Sequence, residues 1–196
     1  MFGTLSVNQC LQRFARQVNG EYWGGSGLDW FSDNDAMVRV HTPAGEVFVR
    51  FDNFSRSEDS AIFHIFGAVK RAEDIKLAME PANVLRRGLG GLRKGSMVSG
   101  NVDVDGKYVI RCEQESEARR ILQQEDLCRA LKESDAYFVR LATMAGEEDR
   151  CLAEVWTNKA PFVEQGALTV PEENYSPRRA TEMLVLCAAL MQAAAD

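Results

Sequence analysis

Asn101, Asp103 and Asp105 occupy alternate positions in Gly100-Asn101-Val102-Asp103-Val104-Asp105-Gly106-Lys107-Tyr108-Val109-Ile110-Arg111. That is the spacing at which a calcium loop sets its first oxygen ligands ahead of a glycine. The chemistry would be cation binding, and it stops half-way. Such a loop needs a bidentate glutamate at its twelfth position, where this chain has Cys112, with Glu113 one residue late. The stretch Gly95 to Gly100 also offers no entering helix. The competing expectation is a tight turn, with Asp105-Gly106 reversing the chain through a positive dihedral angle and Tyr108, Val109 and Ile110 entering a sheet. The turn is preferred over a metal set of Asn101, Asp103 and Asp105.

A second candidate is the loop from Arg86 to Ser96, where Arg86, Arg87, Arg93 and Lys94 are interleaved with four glycines. Glycine amides and clustered cations can cradle an anion. The order Lys94-Gly95-Ser96 is not that of a nucleotide-binding P-loop, and Arg93 stands where a dinucleotide fingerprint needs its third glycine. Anion binding by Arg86, Arg87, Arg93 and Lys94 is therefore an expectation set against a merely solvated loop. Gly24-Gly25-Ser26-Gly27-Leu28 lacks the second glycine of a nucleophile elbow. His41 and His64 are possible bases and Cys112 or Cys151 possible nucleophiles, but no local signature joins any two of them. Asp33, Asp35, Glu147, Glu148 and Asp149 read as turn and surface charge. Trp23, Trp30 and Trp156 read as core packing.

The net charge of -6 argues against nucleic acid as a partner, because phosphate contacts need a basic surface. Five cysteines with no close pair read as reduced thiols, and two histidines leave no zinc set. No residue pattern demands a cofactor. Arg13 and Arg16 interrupt the first apolar region, so no signal peptide is expected. The apolar run from Met183 to Ala195 falls short of the roughly 20 residues that a bilayer-spanning helix needs. The expected location is the cytoplasm.

The elements that must position these residues follow from periodicity. Val7, Leu11, Phe14, Ala15 and Val18 share one stripe of a helix that Asn19-Gly20 ends. Glu21 to Asp35 reads as short strands around a glycine-rich turn. Met37 to Thr42 and Glu46 to Asp52 alternate on either side of Pro43-Ala44-Gly45, which predicts a hairpin. Further strands are expected at Ala61 to Phe66, Asp74 to Met79 and Lys107 to Glu113, and Pro81 is expected to open a helix to Arg87. Ser116 is expected to cap a helix, and a phase shift at Glu125-Asp126 splits that region into a short helix pair. Ala136 to Met144 and Arg150 to Trp156 form a second hairpin. Asn158 to Asn174 reads as loop, and Ser176-Pro177 opens a final helix that is apolar all round from Met183. Runs of strands with helices at the ends predict one α+β domain over 1–196, with antiparallel sheet, N-terminal and C-terminal helices and a short helix pair in the middle.

The Gly100 to Arg111 segment, followed by acidic residues and a helix ending in Arg120-Ile121-Leu122, resembles a signature of prokaryotic domains without an assigned activity. Those domains carry Gly-Asp-x-x-Phe-Asp-x-x-Phe-x-Val and then a helix with a Leu-Leu pair. Gly100, Asp105, Tyr108 and Ile110 fit the signature, while Asn101 and Val104 depart from it. The resemblance implies a bacterial α+β domain in which the signature is structural, aromatics anchoring a strand and an aspartate shaping the turn before it. Without a catalytic constellation, the expected function is a non-catalytic binding or assembly module that takes a protein partner or self-associates. The alternative is an enzyme or a protein binding a small anionic ligand, its site assembled from distant residues such as His41, His64 and the basic loop.

Overall fold

The computed structural model describes residues 3–24, 36–53, 61–71, 73–82, 96–157, 162 and 169–195. Arg86, Arg87, Arg93 and Lys94, like Trp30, Asp33 and Asp35, lie outside the described residues. In chain order the strands are Thr4–Ser6 (β1), Glu21–Trp23 (β2), Met37–Thr42 (β3), Gly45–Asn53 (β4), Ala61–Lys70 (β5), Lys76–Pro81 (β6), Ser96–Met97 (β7), Tyr108–Cys112 (β8), Phe138–Met144 (β9), Glu147–Thr157 (β10) and Thr169–Pro171 (β11). The α-helices are Val7–Gln17 (α1), Val102–Lys107 (α2), Glu115–Leu122 (α3), Glu125–Glu133 (α4) and Arg178–Ala195 (α5). Among the described residues, nine strands form one antiparallel sheet in the order β2-β3-β4-β5-β10-β9-β6-β8-β7, and β1 pairs with β11 in a second, small sheet. The fold is α+β with antiparallel sheets and helices near both ends.

Strand alternation gives the large sheet two chemically distinct faces. Val38, Val49, Ile65, Val155, Val139, Met79, Ile110 and Met97 are cross-strand neighbours in one row that runs from β3 to β7. All eight are buried. A parallel row through Val40, Val47, Gly67, Ala153, Leu141 and Leu77 lies on the same face and is also buried. The apolar residues of the helices join these rows in one core. Helix α5 packs on β5, β10 and β4, and it crosses the sheet where the side chains are smallest. A Cβ on Gly67 would stand 2.4 Å from Met191 Sδ and 2.7 Å from the Glu46 carbonyl oxygen, so glycine is what admits the helix. The apolar stretch of α5 is thus covered from within the chain: Met183, Leu186, Cys187, Leu190 and Met191 are fully buried. That apolarity no longer argues for self-association.

Polar clamps fix the helix ends. Ser6 caps α1 in a reciprocal box with Gln9, whose backbone N–H donates to Ser6 Oγ while Gln9 Oε1 accepts from the Ser6 N–H. Buried Arg71 donates to the Ala194 carbonyl at 2.7 Å and to Glu117, tying the end of α5 and the first turn of α3 to the end of β5. The α3–α4 pair appears as expected, with a break at Gln123 and Gln124.

Several expectations are corrected. Asp105-Gly106 makes no positive-φ turn. Both residues lie in α2, which Asn101 caps by accepting from the N–H groups of Asp103 and Val104. The left-handed residue is Gly100, at φ 88°. Asp105 turns back to accept from Ser99 N, Ser99 Oγ and Gly100 N, which closes the bend before the helix. Helix α3 starts at Glu115 after Gln114, so Ser116 lies inside it and does not cap it. Pro81 ends β6 in register with Tyr108, Ala82 after it is helical, and the rest of the helix expected to Arg87 lies outside the described residues. Thr169–Pro171, read as loop, is strand β11, because β1 supplies a partner that short segment cannot declare locally. Helix α5 begins one residue beyond Pro177, whose carbonyl accepts from Thr181 N.

Candidate functional site on the outer sheet face

The strand positions between the buried ones form the opposite face. Its longest row crosses all nine strands through Glu21, Arg39, Phe48, Phe66, Glu154, Arg140, Ala78, Arg111 and Ser96. A neighbouring row runs through Trp23, Met37, Arg50, His64, Trp156 and Phe138. Phe48, Phe66, Phe138 and Trp156 are half-buried and stand apart from the core that the helices share. No described helix contributes to this layer. The expectation of core packing for the tryptophans is corrected accordingly: Trp156 belongs to the outer face, and Trp23 is exposed beneath the Arg39 guanidinium, 4.7 Å from its ring centre.

At the centre of this face are two buried polar residues. His64 Nε2 stands 3.2 Å from Glu154 Oε1, both side chains only 8 % exposed. The phenyl of Phe66 and the indole of Trp156 flank the imidazole at 4.8 and 5.1 Å between ring centres. Phe48 stacks on Phe66, and Arg50 lies over Phe66 at 5.4 Å. The second oxygen of Glu154 is buried without a hydrogen bond, and Arg140 Nη1 approaches it at 3.4 Å as an ion pair. Trp156 Nε1 is likewise buried with no hydrogen-bond partner among the described residues. A histidine and a carboxylate in contact can serve proton transfer, provided a reacting group can reach them. Here the flanking rings cover both groups.

Beside this cluster the face dips into an open trench of about 340 Å³ over β9, β6 and β8. Ala78 and Ala142 form its floor, and Lys76, Arg111, Glu113 and Arg140 stand around it. The trench exists because alanine falls between two arginines in the register: Ala78 pairs with Arg140 on one side and Arg111 on the other. Lys76 contacts both oxygens of Glu113 at 3.1 Å, and Arg111 reaches Glu80 at 3.3 Å.

The residues singled out in the sequence distribute differently. His41 is exposed at the sheet margin, 3.5 Å from Glu46 and 3.9 Å from Glu21. Cys151 and Cys112 pair in register with the buried Val69 and Leu77, on the face opposite His64, so no histidine–cysteine pair is assembled. Burial pushes both thiols above their ordinary range, Thr143 opposing the effect at Cys151. Asn101 and Asp105 spend their side-chain oxygens on the bend and cap described above, and Asp103 pairs with Lys132 at 2.8 Å. Among the described residues no group of three or more His, Cys, Asp or Glu side chains could hold a metal ion. Glu154, Arg140, Arg111 and Phe66 went unnoticed in the sequence. Their alternation with buried residues was legible, but their neighbours were not.

No family model matches this chain. No curated protein matches it either. Among solved structures, it is similar to the crystal structure of the mycobacterial trehalose monomycolate transport factor A, at 11 % identity and a TM-score of 0.49, over 95 % of this chain and 93 % of that one.

Proposed function

We propose that this chain is a non-catalytic binding module of the cytoplasm that engages a protein partner through the outer face of its large sheet. One observation carries the reading: helices fill one face, whereas the other presents half-buried aromatics among arginines and carboxylates with no described helix over it. Aromatic and arginine side chains are the types that supply most binding energy when a partner excludes water from them. The covered state of the His64–Glu154 pair supports binding over catalysis. Five free thiols fit a reducing compartment. Among the described residues, no helix is long and apolar enough to cross a membrane. A second reading, a protein for a small anionic ligand, draws support from the arginine-lined trench alone.

The test is a pair of outer-face variants, Phe66→Ser and Arg140→Glu, compared with wild type as bait in cell extract and then with the recovered partner in purified form. Both variants should keep the near-ultraviolet circular dichroism of the wild type and weaken the purified complex at least tenfold. Equal affinity for wild type and both folded variants would reject this face as the binding surface.

A further inference from the structure

We infer that the trench between Arg140 and Arg111 is a site for a tetrahedral dianion of phosphomonoester class. The inference rests on the binding-module reading and gives that face a ligand chemistry. The two arginines occupy one cross-strand row with Ala78 between them. Strand spacing puts their Cα atoms roughly 10 Å apart. That distance is within reach of two long side chains closing on a group a few ångströms wide. A longer residue at position 78 would fill the gap, and alanine leaves it open.

The donors are available. Among the described residues Arg140, 51 % exposed, makes only the 3.4 Å ion pair with Glu154, an approach that leaves the carboxylate oxygen without a hydrogen bond. Among the described residues Arg111 has a single ion pair, 3.3 Å long, to a Glu80 that is 36 % exposed. The Arg111–Glu80 pair is about one-third exposed on both sides and contributes little, so exchanging that partner is cheap. Arg140 touches buried Glu154 through Nη1 alone, so it can keep that pair and offer its other N–H donors to a ligand. Lys76 is held by both oxygens of Glu113, so that pair adds no net charge at the rim. A carboxylate presents one edge and suits one guanidinium fork. A phosphate monoester presents three oxygens and can take a fork from each side, which is the geometry that two arginines across a gap provide.

The experiment is a titration of the full chain at low ionic strength, read from the arginine side-chain Nε–Hε signals, with inorganic phosphate and phenyl phosphate as probes and sodium chloride as the ionic-strength control. Arg111 and Arg140 should shift together with one saturating midpoint, on the order of 1 mM. Arg111→Gln should raise the midpoint at least tenfold and remove the response of Arg140. Ala78→Leu should do the same with both arginines present, and the glutamine variant decides the matter if the leucine variant does not fold. A lower midpoint for phenyl phosphate assigns the site to an esterified phosphate, and a lower midpoint for the inorganic ion assigns it to the free one. Linear shifts no larger than those of the exposed Arg129 and Arg178, or independent titration of the two arginines, would overturn the site. Failure here leaves Phe66→Ser weakening the partner complex, whereas failure of the module reading leaves that complex unchanged, so the two are told apart.

Discussion

Ile65 and Phe66 are neighbours in one strand, yet they belong to different chemical worlds. Ile65 sits in a row of apolar side chains under α5, fully buried. Phe66 sits in a row that also holds Glu154, Arg140 and Arg111, half-buried and against other rings. Both residues are large and apolar, so hydrophobicity did not assign them. The covering layer did. One face was closed by helices with small residues at the crossing. The other keeps aromatics beside charges, an arrangement that folding alone does not require.

Substitutions in this strand pair measure the difference directly. Ile65→Ala removes fully buried methyl groups beneath a rigid layer and should cost about 3–4 kcal/mol in chemical denaturation. Phe66→Ala should cost about 1–2 kcal/mol, mostly the stacking with Phe48. Equal costs would mean that the outer face is packed as tightly as the inner one. Gly67→Ala follows, at about 1–3 kcal/mol, because the new methyl group meets Met191 and a backbone oxygen. Removing the bulk with Met191→Ala in the same chain should make the glycine substitution less costly, and a double-mutant cycle would read that coupling.

Glu117 links the helical layer to the sheet, and its effect depends on pH. Hydrogen bonds from Arg120 and then Arg71 hold its carboxyl below the usual range. A carboxylate with a lowered folded pKa contributes stability that is present above its unfolded pKa and is lost as pH falls through the folded one. Melting temperatures taken from neutral pH downwards should therefore fall for the wild type in the acid range. Glu117→Gln should start about 1–2 kcal/mol lower and show a shallower acid decline. A parallel decline in both proteins would remove Glu117 from the account.

The smallest effect concerns thiol chemistry. Burial pushes Cys10 up to about 11 and raises Cys187 further, with Arg13 opposing the effect at Cys10 and Glu154 adding to it at Cys187. Both lie under the inner face, so neither should react with iodoacetamide at neutral pH in the folded protein. Half-buried Cys128 and Cys112 should react first. Rapid alkylation of Cys187 would show that α5 lifts from the sheet.

Much of the fold was readable from the chain. Val38 and Val40 alternate with Arg39 and His41, and Val47, Val49 and Phe51 recur at the same spacing beyond a short turn, so the β3–β4 hairpin declared itself. So did α1, from the stripe of Val7, Leu11, Phe14, Ala15 and Val18 that Asn19-Gly20 ends. The misreadings share a cause. Asn101 to Gly106 carries turn-forming residues that serve equally well as a cap and a first helical turn, and Asn101 satisfying two backbone N–H groups settles the choice for α2. Three residues at Thr169–Pro171 carry too little pattern to announce a strand without β1.

The chain by itself determined which residues share a face, because side chains in a strand alternate whatever the strand's neighbours are. It also determined which helical stripes are apolar. Tertiary structure decided who stands next to whom. His64 meets Glu154, and Arg140 and Arg111 flank Ala78, only because β5 pairs with β10 and β6 lies between β9 and β8. Cross-strand distances are set by hydrogen bonds between segments remote in sequence, and local periodicity contains no term for them.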